Sequence, residues 1–155
     1  MRITHNSKGH FFRIPIDEKF HSYGRLVAPF TFIIYDYRTD VEEIDLEKIA
    51  QADVLFHAVV HKSAYKEWKV IGVKELENKI DLNEIVFFYQ NTYDLYNCSK
   101  ISLDQLTNIK CKPEDCIGLQ PIVIYEPFHI QRRLKFHYEG KEDPQLNLFR
   151  LQLPI

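Results

Sequence analysis

The two histidines His57 and His61 have a spacing that can bind one metal ion when both lie on a helix. The residues around them, VLFHAVV at 54–60, are β-branched, aromatic and aliphatic, and they favour a strand instead. On a strand the two rings would share a face but stand about 13 Å apart, because each residue advances about 3.3 Å. No Glu follows His57, as the metalloprotease motif requires. We therefore predict partly exposed sheet histidines and no metal site.

Three cysteines could also carry chemistry. Cys111 and Cys116 flank a turn-like stretch, and with Cys98 and a histidine they could complete a zinc site. Their spacing is wider than the tight Cys-x-x-Cys pattern, however, and no second pair is present. An odd number of cysteines does not suit a disulfide framework either. We predict reduced thiols in a cytoplasmic protein, no metal and no cofactor, and the sequence leaves open whether the three thiols meet.

A phosphodiester-cleaving site can be assembled from histidines and arginines near the start of the chain. His5, His10 and His21 could supply acid and base, while Arg13 or Arg25 could hold a phosphate. This would make the protein a small RNase or phosphodiesterase of the toxin kind. The same residues are equally well explained as solvated ends of strands, so both interpretations stay open.

Nucleic-acid binding is a further possibility, since Tyr35 and Tyr37 alternate on a segment that ends at Arg38 and could stack bases. The balance of charge opposes it. The chain has 20 basic and 22 acidic residues, whereas a general nucleic-acid binder is usually strongly basic. We expect no nucleic-acid partner, and keep a regulatory nucleic-acid-binding β-barrel as an alternative.

The elements that would position these side chains are mostly strands. Clusters of β-branched and aromatic residues between turn signals predict strands at 11–16, 23–27, 30–37, 54–61, 68–73, 84–90, 121–125 and 146–153. A weak helix is predicted near 75–80, and residues 127–138 fit either a helix or a strand. The fold class is therefore α+β and strand-dominated: a bent antiparallel sheet or small open barrel with a few short helices. A length of 155 residues predicts a single domain, 1–155.

An acidic segment stands out within this pattern. Residues 39–53 contain six acids and one base, and TDVEEIDLEKIAQ predicts a short helix. Asp40 and Glu43 have capping-box spacing, and Val41, Ile44 and Ile49 would form the buried stripe. The acidic face is either a solvated helix surface or a docking surface for a basic protein.

Four motifs occur in an order that resembles one family. GHFFRIPI at 9–16 looks like its opening strand, YGR at 23–25 its second-strand signature, FIIYD at 32–36 its aromatic third strand, and WKVIG at 68–72 its Trp-x-x-Ile-Gly element. In this series the chain is similar to the immunity protein 26 family of bacterial polymorphic toxin systems. The likeness covers roughly residues 9–90, which we interpret as a family-like β core, with 91–155 as a C-terminal extension packed on it.

The resemblance implies a non-enzymatic cytoplasmic protein that binds and neutralises a toxin encoded beside it, as in contact-dependent inhibition. It implies no catalytic residues. We expect the protein to occlude the active site of its cognate toxin, for which a basic nuclease domain is one candidate. We expect no membrane contact, because no apolar run approaches the roughly 18 residues that a spanning helix needs, and a monomer or weak homodimer. The predicted partner-binding residues are Tyr37, Asp40, Glu42, Glu43, Asp45 and Glu47.

Trp68, the only tryptophan, could be an internal anchor or an exposed binding hot spot. On a strand it would share a face with Val70 and Gly72. A large ring that alternates with a β-branched residue and a glycine suits a packed face with close backbone approach. We therefore predict that Trp68 is an anchor.

Overall fold

The computed structural model describes residues 8–103 and 106–155 of the chain. These residues form ten strands, four α-helices and two 3₁₀ turns (Leu82–Glu84 and Pro113–Cys116). The strands are β1 (His10–Pro15), β2 (His21–Ala28), β3 (Thr31–Tyr35), β4 (Val54–Val60), β5 (Lys69–Val73), β6 (Val86–Gln90), β7 (Cys98–Ser102), β8 (Asn108–Cys111), β9 (Gln120–Pro121) and β10 (Ile124–Tyr125). The helices are α1 (Leu46–Ala50), α2 (Ala64–Glu67), α3 (Pro127–Tyr138) and α4 (Pro144–Leu148).

The strands divide between two open sheets. One has six strands in the order β10-β4-β3-β2-β1-β5, and the other has four in the order β8-β7-β6-β9. Neighbours are antiparallel except at two edges, where β10 runs parallel to β4 and β9 runs parallel to β6. The predicted strand-dominated α+β class is confirmed, with the strands split between two sheets where the sequence suggested one.

The six-stranded sheet is buried on both faces. Phe12, Ile14 and Phe32 lie in a core cluster on one side, while Phe11 and Ile33 lie in a second cluster on the other. Successive residues of a strand point to opposite faces, so a run such as TFIIY in β3 can be buried throughout only if both faces are covered. The near-continuous apolar strands of the sequence are therefore the central strands of a covered sheet.

Trp68 is 2% exposed and packs edge-on against Phe32, with ring centroids 5.4 Å apart. It is an internal anchor, as predicted. The predicted shared face of Trp68, Val70 and Gly72 is wrong, because the register of β5 against β1 shifts by one residue between Val70 and Gly72. Val70 packs on the cluster that contains Trp68, whereas a Cβ on Gly72 would stand 2.8 Å from Leu46 Cδ1 on the opposite side. The close approach expected at Gly72 is present, but it faces α1.

Helix α3 covers the face of the sheet that holds Trp68. Ile130 and Leu134 are fully buried in the same cluster as Trp68. The sequence left helix and strand open at 127–138, and the structure has a helix. Pro127 occupies its first turn, where its missing N–H costs nothing, and the spacing of four brings Ile130 and Leu134 onto one side.

The predicted strand at 146–153 is wrong. The Asp143 carboxylate accepts a hydrogen bond from the Gln145 backbone N–H at 3.0 Å, and Pro144 occupies the first turn of α4. These local helix-start signals outweigh the alternation of apolar residues that follows. Residues 150–155 have no regular structure.

The helix predicted near 75–80 is also wrong. Residues 75–80 are irregular, with a turn at 78–79. The fully buried Arg25 accounts for this. Its guanidinium donates to the carbonyl oxygens of Lys74 and Glu75, both at 2.9 Å, and to Glu77 Oε2 at 2.6 Å. Backbone carbonyls that bond to Arg25 in this arrangement hold the segment against β2 and away from helical pairing.

Candidate partner-binding surface

Residues 40–47, here called the acidic loop, comprise the last part of the connection from β3 to α1 and the first two residues of α1. The helix begins at Leu46, later than predicted, because Asp45 is its cap: the Asp45 carboxylate accepts from the Glu47 and Lys48 backbone N–H groups. The predicted cap at Asp40 is wrong. An N-cap directly precedes the first helical residue, and here that residue is Leu46.

The late start of α1 changes which apolar residues are buried. Val41 is 65% exposed and Ile44 is 75% exposed, whereas Ile49 is fully buried. Two members of the predicted buried stripe therefore lie on the surface. Both stand in a segment whose other residues are all acidic, from Asp40 to Asp45. Exposed aliphatic side chains of this size within a charged segment are the feature that sequence reasoning missed.

The acidic loop is held in place by tyrosine hydroxyls. The buried Tyr23 shares a hydrogen bond with Thr39 at 2.6 Å and accepts one from the Glu43 backbone N–H at 3.1 Å. Thr39 also forms paired backbone hydrogen bonds with His21 at the start of β2. The loop conformation therefore follows from contacts with the buried sheet, so Val41 and Ile44 are exposed on an ordered segment.

Tyr37 and Glu43 take part in this same support. The Tyr37 hydroxyl donates to Glu43 Oε2 at 3.0 Å, and the other oxygen of Glu43 accepts from the Asp45 backbone N–H at 3.1 Å. Those two hydrogen bonds lower the pKa of Glu43 below its ordinary value, with the Asp45 N–H as the larger cause. Glu43 and Tyr37 are only partly exposed. Their main contacts are internal, so they shape the loop more than they present a surface.

Three of the loop acids already have cationic partners. Glu42 lies 2.7 Å from Lys69 Nζ and 3.4 Å from Arg13 Nη1, and Glu47 lies 3.2 Å from Lys74 Nζ. Glu43 is 3.6 Å from Lys48 Nζ. The hydrogen bond from Lys69, and then the charges of Lys69 and Arg13, lower the pKa of Glu42. The surface of the acidic loop is therefore less negative than the sequence alone indicates.

Asp40 differs from these acids. It is exposed, and it makes no ion pair with any residue that the structure describes. The outward-facing part of the acidic loop thus consists of Asp40, Val41, Ile44 and Asp45, with the paired carboxylates of Glu42 and Glu47 also reaching solvent. Exposed aliphatic and acidic side chains therefore occur together on this segment, and protein–protein interfaces combine the same two kinds of side chain.

The two described histidines considered for phosphodiester cleavage, His10 and His21, do not converge. His10 begins β1, whereas His21 pairs with Pro15 at its other end, so the two are roughly 17 Å apart by strand rise. Arg25 is fully buried and committed to Glu77. Burial, then the charge of Arg13, lowers the pKa of His21. His5 lies outside the described residues.

The other residues considered as candidate sites are buried, partly buried or in contact with other residues of the protein. His57 is half-buried in β4, where burial lowers its pKa, and His61 follows the strand and contacts Ser63. Tyr35 is 2% exposed and stacks on Phe11, so it offers no platform for a base.

Across 8–103 and 106–155, no group of three or more His, Cys, Asp or Glu side chains is arranged to hold a metal ion. None of the helices in those ranges is long and apolar enough to span a membrane.

Comparison with known proteins gives one family match. A family model described as Immunity protein 26 matches residues 7–99, which include the acidic loop and β1 to β6. No curated protein and no solved structure matches the chain.

Proposed function

The chain belongs to the immunity protein 26 family, and from this premise we propose that it binds a cognate bacterial toxin and neutralises it by occluding the toxin's active site. Such a protein acts by binding, so it needs no catalytic residue of its own. We propose that the encounter takes place in the bacterial cytoplasm and that the free protein is a monomer or weak homodimer. A toxin with a cationic active site, such as a basic nuclease domain, fits the negative charge of the acidic loop.

The observation that carries the proposal is the exposure of Val41 and Ile44 within an ordered acidic loop. Each side chain is more than half exposed. Fully covering an aliphatic side chain of this size contributes about 1.5–3 kcal/mol, so two of them can supply a substantial part of a specific binding energy. Because the loop is held by Tyr23 and Thr39, little conformational entropy is lost when a partner covers it.

The charges around the apolar pair suit a basic partner. Asp40 is exposed and forms no ion pair with a described residue, so its charge can attract a cationic surface at a distance. Glu42 and Glu47 reach solvent while bound to lysines, so a basic partner would compete with or share these carboxylates. We therefore assign affinity mainly to Val41 and Ile44, steering mainly to Asp40, and support of the loop to Tyr37 and Glu43.

The experiment is co-expression with the product of the neighbouring reading frame, followed by co-purification and a growth-rescue assay. We expect the wild-type chain to co-purify with that product and restore growth. Val41→Asp combined with Ile44→Asp should abolish both effects, because the toxin would have to bury two carboxylates at positions that fit aliphatic side chains.

Ile124→Asp is the matched control, since Ile124 is also 65% exposed and lies in β10, outside the acidic loop. That variant should rescue growth normally. Growth arrest or RNA degradation caused by the chain alone would contradict the proposal and favour the toxin alternative. Equal rescue by the control and the loop variant would show that another surface binds.

A further inference from the structure

The three cysteines, Cys98, Cys111 and Cys116, meet at one end of the four-stranded sheet. Cys98 begins β7 and is the register partner of Cys111, which ends β8. The Sγ atoms of Cys111 and Cys116 are 3.5 Å apart, which is van der Waals contact between two sulfurs. Cys98 and Cys116 are buried, whereas Cys111 is partly exposed.

A short, well-braced turn brings Cys116 back to Cys111. The 3₁₀ turn Pro113–Cys116 follows Lys112, whose backbone N–H donates to Asp115 Oδ2 at 3.0 Å, while the Asp115 backbone N–H donates to the Lys112 carbonyl oxygen. The two sulfurs are therefore neighbours because the backbone places them together. The two sulfurs must approach each other by about 1.5 Å to reach the length of a disulfide bond.

The third thiol has a different environment. Cys98 Sγ donates to the carbonyl oxygen of Leu95 in the preceding loop at 3.3 Å, and it also contacts the Cys116 thiol. The described residues also provide no further His, Asp or Glu that would complete a metal site with these thiols. The arrangement favours a pair with a nearby third thiol over a three-thiol ligand set.

We propose that Cys111 and Cys116 form a reversible dithiol–disulfide pair that is oxidised by a low-molecular-weight disulfide of the glutathione type. The Cys111 thiolate attacks one sulfur of the oxidant, which releases one thiol and leaves a mixed disulfide on Cys111. Cys116 then attacks the Cys111 sulfur, forms the internal disulfide and expels the second thiol. Two electrons and two protons pass from the cysteine pair to the oxidant, which ends as two thiols.

The order of attack follows from accessibility. Burial, followed by the neighbouring Cys111 thiol, raises the pKa of Cys116 to about 12, so this thiol stays protonated and poorly nucleophilic toward an external oxidant. Cys111 is the thiol that solvent reaches. After the first step, the Cys116 thiol is next to the mixed disulfide on Cys111. The thiolate that leaves in the second step can accept the proton of Cys116.

Oxidation has a structural consequence. Cys116 packs in a cluster with Phe88 and Cys98, against which Leu119 and the C-terminal Leu151 are partly buried. A disulfide between Cys111 and Cys116 would lock the turn that supports this cluster. Closing a loop of this length removes entropy from the unfolded chain, and we expect the melting temperature to rise by roughly 5 °C.

The test treats the purified chain with oxidised glutathione, then unfolds it in denaturant that contains N-ethylmaleimide so that the buried Cys98 also reacts. Intact-mass and peptide mass spectrometry identify the product. We expect a product two hydrogen atoms lighter than the dithiol, one alkylated thiol at Cys98, and a Cys111–Cys116 disulfide. Three alkylated thiols after prolonged treatment, or a disulfide that joins Cys98 to Cys111 or to Cys116, would overturn the proposal. The wild-type peptide map decides this even if a cysteine variant folds poorly.

Two variants separate the roles of the thiols. Cys98→Ser should still form the disulfide, whereas Cys116→Ser should stop at a glutathione adduct on Cys111. An internal disulfide in Cys116→Ser would contradict the assignment. None of these outcomes depends on a toxin, so the pair stands or falls separately from the proposed function.

Discussion

The hydroxyl of Tyr23, a buried residue of β2, accepts a hydrogen bond of 3.1 Å from the backbone N–H of Glu43. This contact joins the core of the six-stranded sheet to the acidic loop. It explains how a segment with two exposed aliphatic side chains can be ordered without burying them.

Tyr23→Phe should loosen the acidic loop without disturbing the sheet. The ring stays buried, but Thr39 and the Glu43 N–H lose their partner. We expect a loss of about 1 kcal/mol of unfolding free energy and faster hydrogen exchange at Glu43. Chemical denaturation and amide exchange measure these effects. Tyr96→Phe, at a tyrosine that is 69% exposed, is the control and should change neither.

The position of the helix start predicts losses of stability of very different size for two isoleucines. Ile44→Ala should change stability by no more than about 0.5 kcal/mol, because the side chain is in solvent. Ile49→Ala should cost about 2–4 kcal/mol, because it opens a cavity in the core. Urea denaturation compares the two. Similar losses would mean that Ile44 is buried and that α1 begins earlier.

The buried Arg25 makes stability depend on Glu77. Burial alone would raise the pKa of Glu77, but hydrogen bonds from Lys74 and Arg25 outweigh it and lower the pKa from 4.5 to about 2. A carboxyl whose folded pKa is depressed contributes stability above its unfolded pKa and loses it as the pH falls through the folded value. The contribution of Glu77 should therefore disappear between about pH 4.5 and pH 2.

Glu77→Gln should cost about 3 kcal/mol at pH 7, because it leaves the Arg25 guanidinium buried without a countercharge. It should also flatten the pH dependence of unfolding in that acidic range. Glu142→Gln breaks the exposed pair with Arg150 and should cost less than about 1 kcal/mol. Equal losses in the two variants would contradict the assigned role of Arg25.

The proposed single domain predicts one cooperative unfolding transition. Leu134 of α3 is fully buried in the cluster that contains Trp68. Leu134→Ala should therefore lower the free energy of unfolding by about 3 kcal/mol. Tryptophan fluorescence and far-ultraviolet circular dichroism should report the same single transition. Two separate transitions would show that residues 91–155 fold independently of the β core.

Asp40 should govern the rate of association with a basic toxin. Asp40→Lys is expected to slow association severalfold at low salt and to weaken its salt dependence, with little change in dissociation. Glu114→Lys introduces the same charge change at an exposed site in the 3₁₀ turn before Cys116 and is the control. Stopped-flow mixing measures both rates. Unchanged association of Asp40→Lys would exclude steering by this loop.

The sequence predicts the central strands well because their local signals agree with their environment. β1 to β4 are rich in aromatic and β-branched residues, and the doubly covered sheet accommodates their unbroken apolar runs. The register shift that separates Val70 from Gly72 has no comparable local signal. It follows from how β5 pairs with β1, which the sequence of β5 alone does not contain.

The start of α1 shows the same limit at the candidate site. Asp40 and Asp45 both precede acidic residues that suit a first helical turn. The choice of Asp45 depends on Tyr23 and Tyr37, which hold Glu43 in a non-helical conformation. Tertiary contacts thus selected between two locally acceptable caps, and that selection exposed Val41 and Ile44.

The binding surface is tested most directly by the dissociation constant of the purified protein for its toxin, measured by isothermal titration calorimetry for wild type, Ile44→Asp and Ile124→Asp. We predict that Ile44→Asp weakens binding by about 30-fold or more, which is the loss typical of a buried interface anchor. Ile124→Asp should bind within about threefold of wild type, as a residue outside the interface does. Equal affinities for all three proteins would contradict the claim that the acidic loop is the toxin-binding surface.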